Sequence, residues 1–235
     1  MLGTGLLVTG CAKRPEARTT TPTSGEHEPK TDVPKKEEEE EISPAEDLMR
    51  EHGVLDRVLL VYEEGVRRLS APQAETTADA IARSAEIVHR FIEQYHEKLE
   101  EDFLFPRFEK ANRLVELVAT LRRQHQAGRA LTDDIRRLAN VASLKDPAAR
   151  PKLAQAIELF VRMYRPHEAR EDTVLFPALR SVVPPKELDA LGERFEDKEH
   201  ELFGKEGFEG VVDQVAAIER SLGIHDLDRF TPTAR

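Results

Sequence analysis

An eleven-residue segment occurs twice, and the repetition constrains this chain more than any other feature. The segment His96 to Pro106 (HEKLEEDFLFP) returns 71 residues later as His167 to Pro177 (HEAREDTVLFP). Six of the eleven positions are identical: the His, the Glu beside it, the Glu four residues on, and the closing Leu-Phe-Pro. A single His precedes each copy at a similar distance, His52 by 44 residues and His125 by 42. The pattern His…His-x-x-x-Glu is therefore written twice.

Residues i and i+4 share one face of a helix, so each His-x-x-x-Glu pair can reach one site together. The histidines also fall on apolar faces. His52 lies four after Leu48 and three before Leu55, and His96 four after Ile92 and three before Leu99. His125 lies four after Leu121, and His167 four after Met163. Four histidines with Glu100 and Glu171 then point into one core. One such His is ordinarily a satisfied core histidine, but packing alone gives no reason to bury two carboxylates as well. A buried unpaired carboxylate is costly, and coordination to a cation removes the cost. Imidazole with carboxylate suits iron, manganese or zinc.

The rest of the chain reads as helices to carry this pattern. Ser43-Pro44 with Glu46 is a capping box that starts helix 1, about 44–69. Helix 2 spans about 77–105 and ends or kinks at Pro106. Helix 3 spans about 114–141, and Asp146-Pro147 opens helix 4, which reaches about 180. Apolar residues recur at helical spacing in each, with Leu48, Leu55, Leu59, Tyr62 and Val66 inward in helix 1. The predicted fold class is all-α, an up-and-down antiparallel four-helix bundle with additional short C-terminal helices. Its parts are a bundle over 43–183 and a helical extension over 184–235, which is expected to cover one end of the bundle. Charged residues make up 34% and hydrophobic ones 39%, with no Trp, a mix that suits amphipathic helices. The net charge of -10 and the absence of a basic stripe argue against a nucleic-acid partner. No phosphate loop, nucleotide fingerprint or nucleophile–base set is present.

These motifs resemble those of the hemerythrin-like HHE cation-binding family, over roughly residues 42–183. The resemblance implies a non-haem di-iron centre in a four-helix bundle. The ligands carried over are His52, His96, Glu100, His125, His167 and Glu171, with both glutamates bridging two Fe ions; Mn or Zn remain options. Oxygen-carrying members use a His-x-x-x-His pair on the third helix, whereas here Arg129 stands four after His125. Glu97 or Glu168, each beside a ligand His, is a candidate for the missing place. Asp172, five after His167, competes with Glu171. His89, Tyr95 and Tyr164 are candidates for supporting or packing roles, and Pro166 for a kink beside His167. The tail segment Glu199-His200-Glu201 is the remaining place where a metal could bind.

The first residues carry a different message. Val8-Thr9-Gly10-Cys11 resembles a bacterial lipobox over residues 1–11, although no Lys or Arg precedes the cysteine. Residues 12–42 are rich in Thr, Pro, Lys and Glu and read as a disordered tether. Lipidation of Cys11 would anchor the protein at the bacterial cell envelope, as a lipoprotein and its only membrane contact; the alternative is a cytoplasmic protein. Three functions compete: a metal protein that binds or senses O2, NO or iron, a di-iron enzyme acting on peroxide or nitric oxide, and a metal-free helical interaction protein.

Overall fold

The computed structural model describes residues 42–69 and 74–233, and every regular element among them is helical. The expectations for Cys11, the lipobox and the tether up to Glu41 lie outside the described residues. Helix α1, Pro44–Arg68, begins as expected: Ser43 Oγ accepts the Glu46 N–H at 3.4 Å and the Glu46 carboxylate accepts the Ser43 N–H at 3.1 Å. Helix α2 covers 74–110, α3 is Val115–Leu138, α4 is the short Val141–Lys145, α5 covers 149–181, α6 is Pro185–Phe203 and α7 is Gly207–Leu222.

Pro106 does not end α2. The turn before it widens into a π-helical segment, Glu100–Leu104, in which the Phe105 N–H donates to the Glu100 carbonyl. The second copy of the repeat does the same: Glu171–Leu175 is π-helical and the Phe176 N–H donates to the Glu171 carbonyl. A proline ring clashes with the carbonyl four residues back in a regular helix and has no N–H to donate. One wider turn just ahead of it relieves both problems, so Glu-x-x-x-Leu-Phe-Pro is a sequence for passing a proline without breaking the helix. A longer π-helical stretch, Val88–His96, leads into the first ligand pair. Such segments are rare and concentrate where function needs an irregular helix face. Helix 3 ends three residues earlier than expected, because the Asn140 side chain accepts the Ser143 N–H and starts α4.

α1 packs against α2 and α5, and α3 packs against α2 and α5, so the four long helices enclose a common core. Leu55, Leu59, Tyr62, Ile81, Val88, Leu121, Ile135, Phe160 and Tyr164 are buried there. Each fully buried side chain of this size contributes roughly 1.5–3 kcal/mol. Val66, expected inward, is only partly buried, as are Phe103 and Leu117. A second stripe of α1, Val54, Val58 and Val61, is also buried. The reason is the tail: α7 packs on α1 and α2, and α6 joins them. Gly192 of α6 approaches Pro44 at the start of α1, while Arg68 at its end donates to the Leu222 carbonyl at 2.8 Å. The extension therefore lies along the flank of α1, not over one end, and shares one compact unit with the long helices.

Candidate metal centre

The six predicted residues meet in the core. Each carboxylate stands between two histidines from different helices. Glu100 Oε2 lies 3.8 Å from His96 Nε2 and 3.4 Å from His125 Nε2. Glu171 Oε2 lies 3.4 Å from His52 Nε2 and 3.1 Å from His167 Nε2. The donor atoms of Glu100, His125, His167 and Glu171 all fall within 4.8 Å of one another. His52 and His96 rings are 4.7 Å apart, as His125 and His167 are at 5.1 Å. All six side chains are buried.

Every one of the four histidines is held from behind through Nδ1. His52 Nδ1 meets Asp172 Oδ1 at 2.8 Å, and His96 Nδ1 meets Glu51 Oε2 at 2.6 Å. His125 Nδ1 meets Glu101 Oε1 at 3.1 Å, and His167 Nδ1 meets the Gln124 carbonyl oxygen at 2.9 Å. All four partners are acceptors, so each ring carries its proton on Nδ1. Each Nε2 is then turned toward the glutamates, the orientation a metal ligand needs. Burial opposes a second proton on these rings, yet Asp172 and Glu171 hold His52 well above the usual imidazole range, and Glu100 and Glu101 push His125 up to about 10; metal binding would displace those protons. The rings are also fixed by aromatic contacts. Phe105 stacks on His125 at 5.5 Å and Phe176 stacks on His52 at 5.4 Å. The Phe of Leu-Phe-Pro thus orients the lone His of the neighbouring helix, which explains why that tripeptide repeats together with the ligands.

Sequence reasoning missed the backing residues Glu51, Gln124 and Glu101 and the two phenylalanines. Their signal was present. Glu51 and Gln124 each precede a lone His, and Glu101 and Asp172 each follow a repeated Glu.

The electrostatics of these side chains on their own are unbalanced. Both oxygens of Glu100 and both of Glu171 are buried without a hydrogen bond, as is His125 Nε2. Burial pushes the Glu100 carboxyl up to about 8, and the charge of Glu171 adds to that. Burial also opposes ionisation of Glu171, but His167 and His52 outweigh it and hold that carboxyl below its ordinary range. His96, crowded by burial and by His52, is held well below the usual imidazole range. Four carboxylate oxygens without hydrogen bonds, facing the Nε2 atoms of four imidazoles, form a donor set that a cation completes. Nitrogen and oxygen donors of this kind fit iron, manganese or zinc, so the residues present fit the group that the repeat implies.

The remaining candidates fall elsewhere. Asp172 is turned onto His52 Nδ1, behind the ligand plane. Glu97 accepts from Tyr164 Oη at 2.7 Å and pairs with Arg129 at 2.7 Å; burial, eased by His125 and Arg129, leaves it at about 7. Arg129 also binds Glu101 at 2.8 Å, so the residue four after His125 is a cation paired with Glu97 and with the acid that backs His125. Glu168 is buried with Oε1 unpartnered, and burial pushes it up to about 9. His89 binds Glu93 and Gln94 and joins none of the possible metal groups among the described residues. Tyr164 packs edge-on against His167 and reaches Glu97, past Gly128, where an added Cβ would overlap its hydroxyl. Pro166 is accommodated inside a continuous α-helical stretch, Ala149–Arg170. His225 pairs with Glu219 far along the chain, and His200 joins none of the possible metal groups among the described residues.

Comparison with known proteins agrees with this geometry. The family model for the hemerythrin HHE cation binding domain matches residues 43–151. Proteins of Mycobacterium tuberculosis and Mycobacterium bovis are 52% identical to the chain over 197 residues, covering 84% of it and 77% of their own length. The likeness thus extends past the second copy of the repeat, which the family model does not reach. No solved structure matches the chain.

Proposed function

This chain belongs to the hemerythrin HHE cation-binding family, and from that premise we propose that its four long helices form an up-and-down bundle around a two-iron centre that binds or senses O2, NO or iron at the cell envelope. The observation that carries the reading is the set of four buried carboxylate oxygens on Glu100 and Glu171 without hydrogen bonds, ringed by four Nε2 atoms whose imidazoles are held from behind through Nδ1. His52, His96, His125 and His167 would hold the metals, with Glu100 and Glu171 as the shared anionic ligands. Bound iron would supply an open, redox-active position for a small diatomic molecule or peroxide. The chain supplies everything around it. Glu51, Gln124, Glu101 and Asp172 keep the imidazoles oriented. Phe105 and Phe176 exclude water from two of the rings. Lipidation at Cys11 would tether the bundle to a membrane, a reading that rests on the Val8-Thr9-Gly10-Cys11 sequence; no helix among the described residues is long and apolar enough to cross one.

One observation favours turnover over reversible carriage. Arg129 replaces the histidine that oxygen carriers place there, and it is committed to Glu97 and Glu101. One metal would then keep a position that no side chain fills, which suits an enzyme acting on peroxide or nitric oxide.

The test is iron content after anaerobic reconstitution with ferrous iron, followed by absorption spectra on adding O2 or NO. Two irons per chain, lost in His167→Ala, together with a ligand-dependent visible band, are the expected result. A protein that takes up no iron would overturn the reading. Steady consumption of peroxide or NO separates the enzyme from the sensor. Release of Cys11→Ser from the membrane fraction tests the anchor.

A further inference from the structure

The C-terminal extension carries a surface that the metal centre does not use. After α7 the chain forms a 3₁₀ turn, Leu227–Phe230, that holds two large apolar side chains in solvent, Leu227 79% and Phe230 47% exposed. Residues three apart eclipse in such a turn, so the two side chains form one apolar knob. Asp226, Asp228 and Arg229 flank it. Asp226 Oδ1 accepts the Asp228 N–H at 3.0 Å, while the side chains of Asp228 and Arg229 make no ion pair among the described residues.

A cavity of about 260 Å3 opens between α2, the end of α6 and α7. Its floor is apolar, made by Ile87, Phe91, Phe203 and Ile218, with the Phe91 and Phe203 rings edge to face at 5.4 Å. Leu202 stands at its edge, 43% exposed. The volume falls below the roughly 300–1,000 Å3 of small-molecule sites and suits one or two side chains. The polar lining carries both signs. Glu86 is engaged by Arg136 at 3.0 Å, and Arg83 lies 3.6 Å from Asp79. Arg90 and Glu206 make no ion pair among the described residues.

We propose that two copies of the chain join through this face, the Leu227–Phe230 knob of each seated in the cavity of the other. Three features select a second copy as the occupant. Knob and cavity are both apolar and open to solvent. Their free charges match by sign, Asp228 with Arg90 and Arg229 with Glu206. The two features also flank one helix. The cavity lies on the α2 side of α7. The knob follows His225, whose Nδ1 meets Glu219 Oε2 at 3.0 Å, and Glu219 in turn holds Arg57 of α1 at 2.7 Å. The knob therefore leaves α7 on the α1 side. A projection and a recess side by side on one face suit a two-fold axis across α7, where each contact is made twice and the assembly closes as a dimer. Leu202, Leu227 and Phe230 of each copy would leave water together. The metal centre takes no part.

Sedimentation equilibrium of the full chain tests the proposal. A dimer that dissociates on dilution is expected, with the same dissociation constant in His167→Ala, so failure of the two-iron reading and failure of this one are told apart. Phe230→Ala, at an exposed position, should weaken the dimer at least about tenfold. Arg90→Glu and Asp228→Arg should each weaken it, and the two together should recover most of the loss, which a general change of surface charge would not do. A monomer at every concentration would overturn the proposal; if that monomer binds decanoate and Arg90→Glu abolishes the binding, the cavity serves a small amphipathic acid instead. A dimer indifferent to Phe230→Ala, or charge reversals whose losses add instead of cancelling, would overturn it as well.

Discussion

The half of the centre built by α1 and α2 and the half built by α3 and α5 place the same groups in the same positions, except behind one histidine. His52 and His125 correspond, as do His96 and His167, Glu100 and Glu171, Glu101 and Asp172, Phe105 and Phe176. Behind His96 stands the carboxylate of Glu51, whereas behind His167 stands the amide of Gln124. A carboxylate accepting from Nδ1 makes the imidazole a stronger donor than a neutral amide does. The halves therefore share a geometry and differ in strength, and the difference predicts that the two metals of the proposed centre bind unequally.

The largest effect should come from the groups that are alike. Each central carboxylate lies between two histidines, so Glu100→Gln and Glu171→Gln should both weaken metal binding by more than about 100-fold. Redox-inert zinc with a competing chelator measures this without iron chemistry. Full zinc retention in one variant alone would show that the halves are not equivalent at the carboxylates.

The groups that differ should act less strongly and in opposite directions. Glu51→Gln makes the first half resemble the second, and should weaken its metal by about 10-fold. Gln124→Glu makes the second resemble the first and should tighten it. In the same zinc titration, two steps in the parent protein should merge in either variant. Two unchanged steps in both would show that the backing residues do not set the inequality.

A further contrast lies three residues beyond the lone histidines, where α1 has Leu55 and α3 has Gly128. Only α3 leaves room for a tyrosine, and Tyr164 passes there to Glu97. Gly128→Ala should displace that hydroxyl and cost roughly 1–3 kcal/mol, read as a lower urea midpoint. Tyr164→Phe, which loses only the hydrogen bond, should cost about 1 kcal/mol. Equal costs would mean that the close approach carries no strain.

Much of this was legible in the chain before any coordinates. The i, i+4 spacing and apolar neighbours were enough to put His52, His96, Glu100, His125, His167 and Glu171 together, because helix periodicity is a strong local signal. The capping box at Ser43 was equally local. The continuation of α2 through Pro106 was not legible, since proline ordinarily stops a helix and the wider turn that rescues it depends on hydrogen bonds across five residues. The flanking position of α6 and α7 was hidden for a different reason. The second buried stripe of α1, Val54, Val58 and Val61, reads as ordinary amphipathic breadth until the tail is seen against it. Which carboxylate faces the histidine Nε2 atoms and which backs a histidine, Glu171 against Asp172, depends on the π-helical turn that begins at Glu171.

The last comparison concerns Glu97 and Glu168, which occupy the same place in the two halves, each just after a ligand histidine. Both are buried, but Glu97 has Tyr164 and Arg129 while one oxygen of Glu168 has no partner. Burial raises Glu97 to about 7 and Glu168 to about 9. In each case the folded protein holds a proton that the unfolded chain, with an ordinary carboxyl, has already released. The folded state binds more protons, so stability falls as pH rises, from the unfolded pKa up to the folded one. Between about pH 7 and 9 only Glu168 of this pair still contributes, with a slope of at most ~1.4 kcal/mol per pH unit. In metal-free protein, Glu168→Gln should flatten the loss of stability across that range. Glu97→Gln should change the profile only below it. Urea unfolding at several pH values reads both, and a Glu168→Gln profile parallel to the parent's above pH 7 would mean that Glu168 is ionised in the fold and has found a partner there.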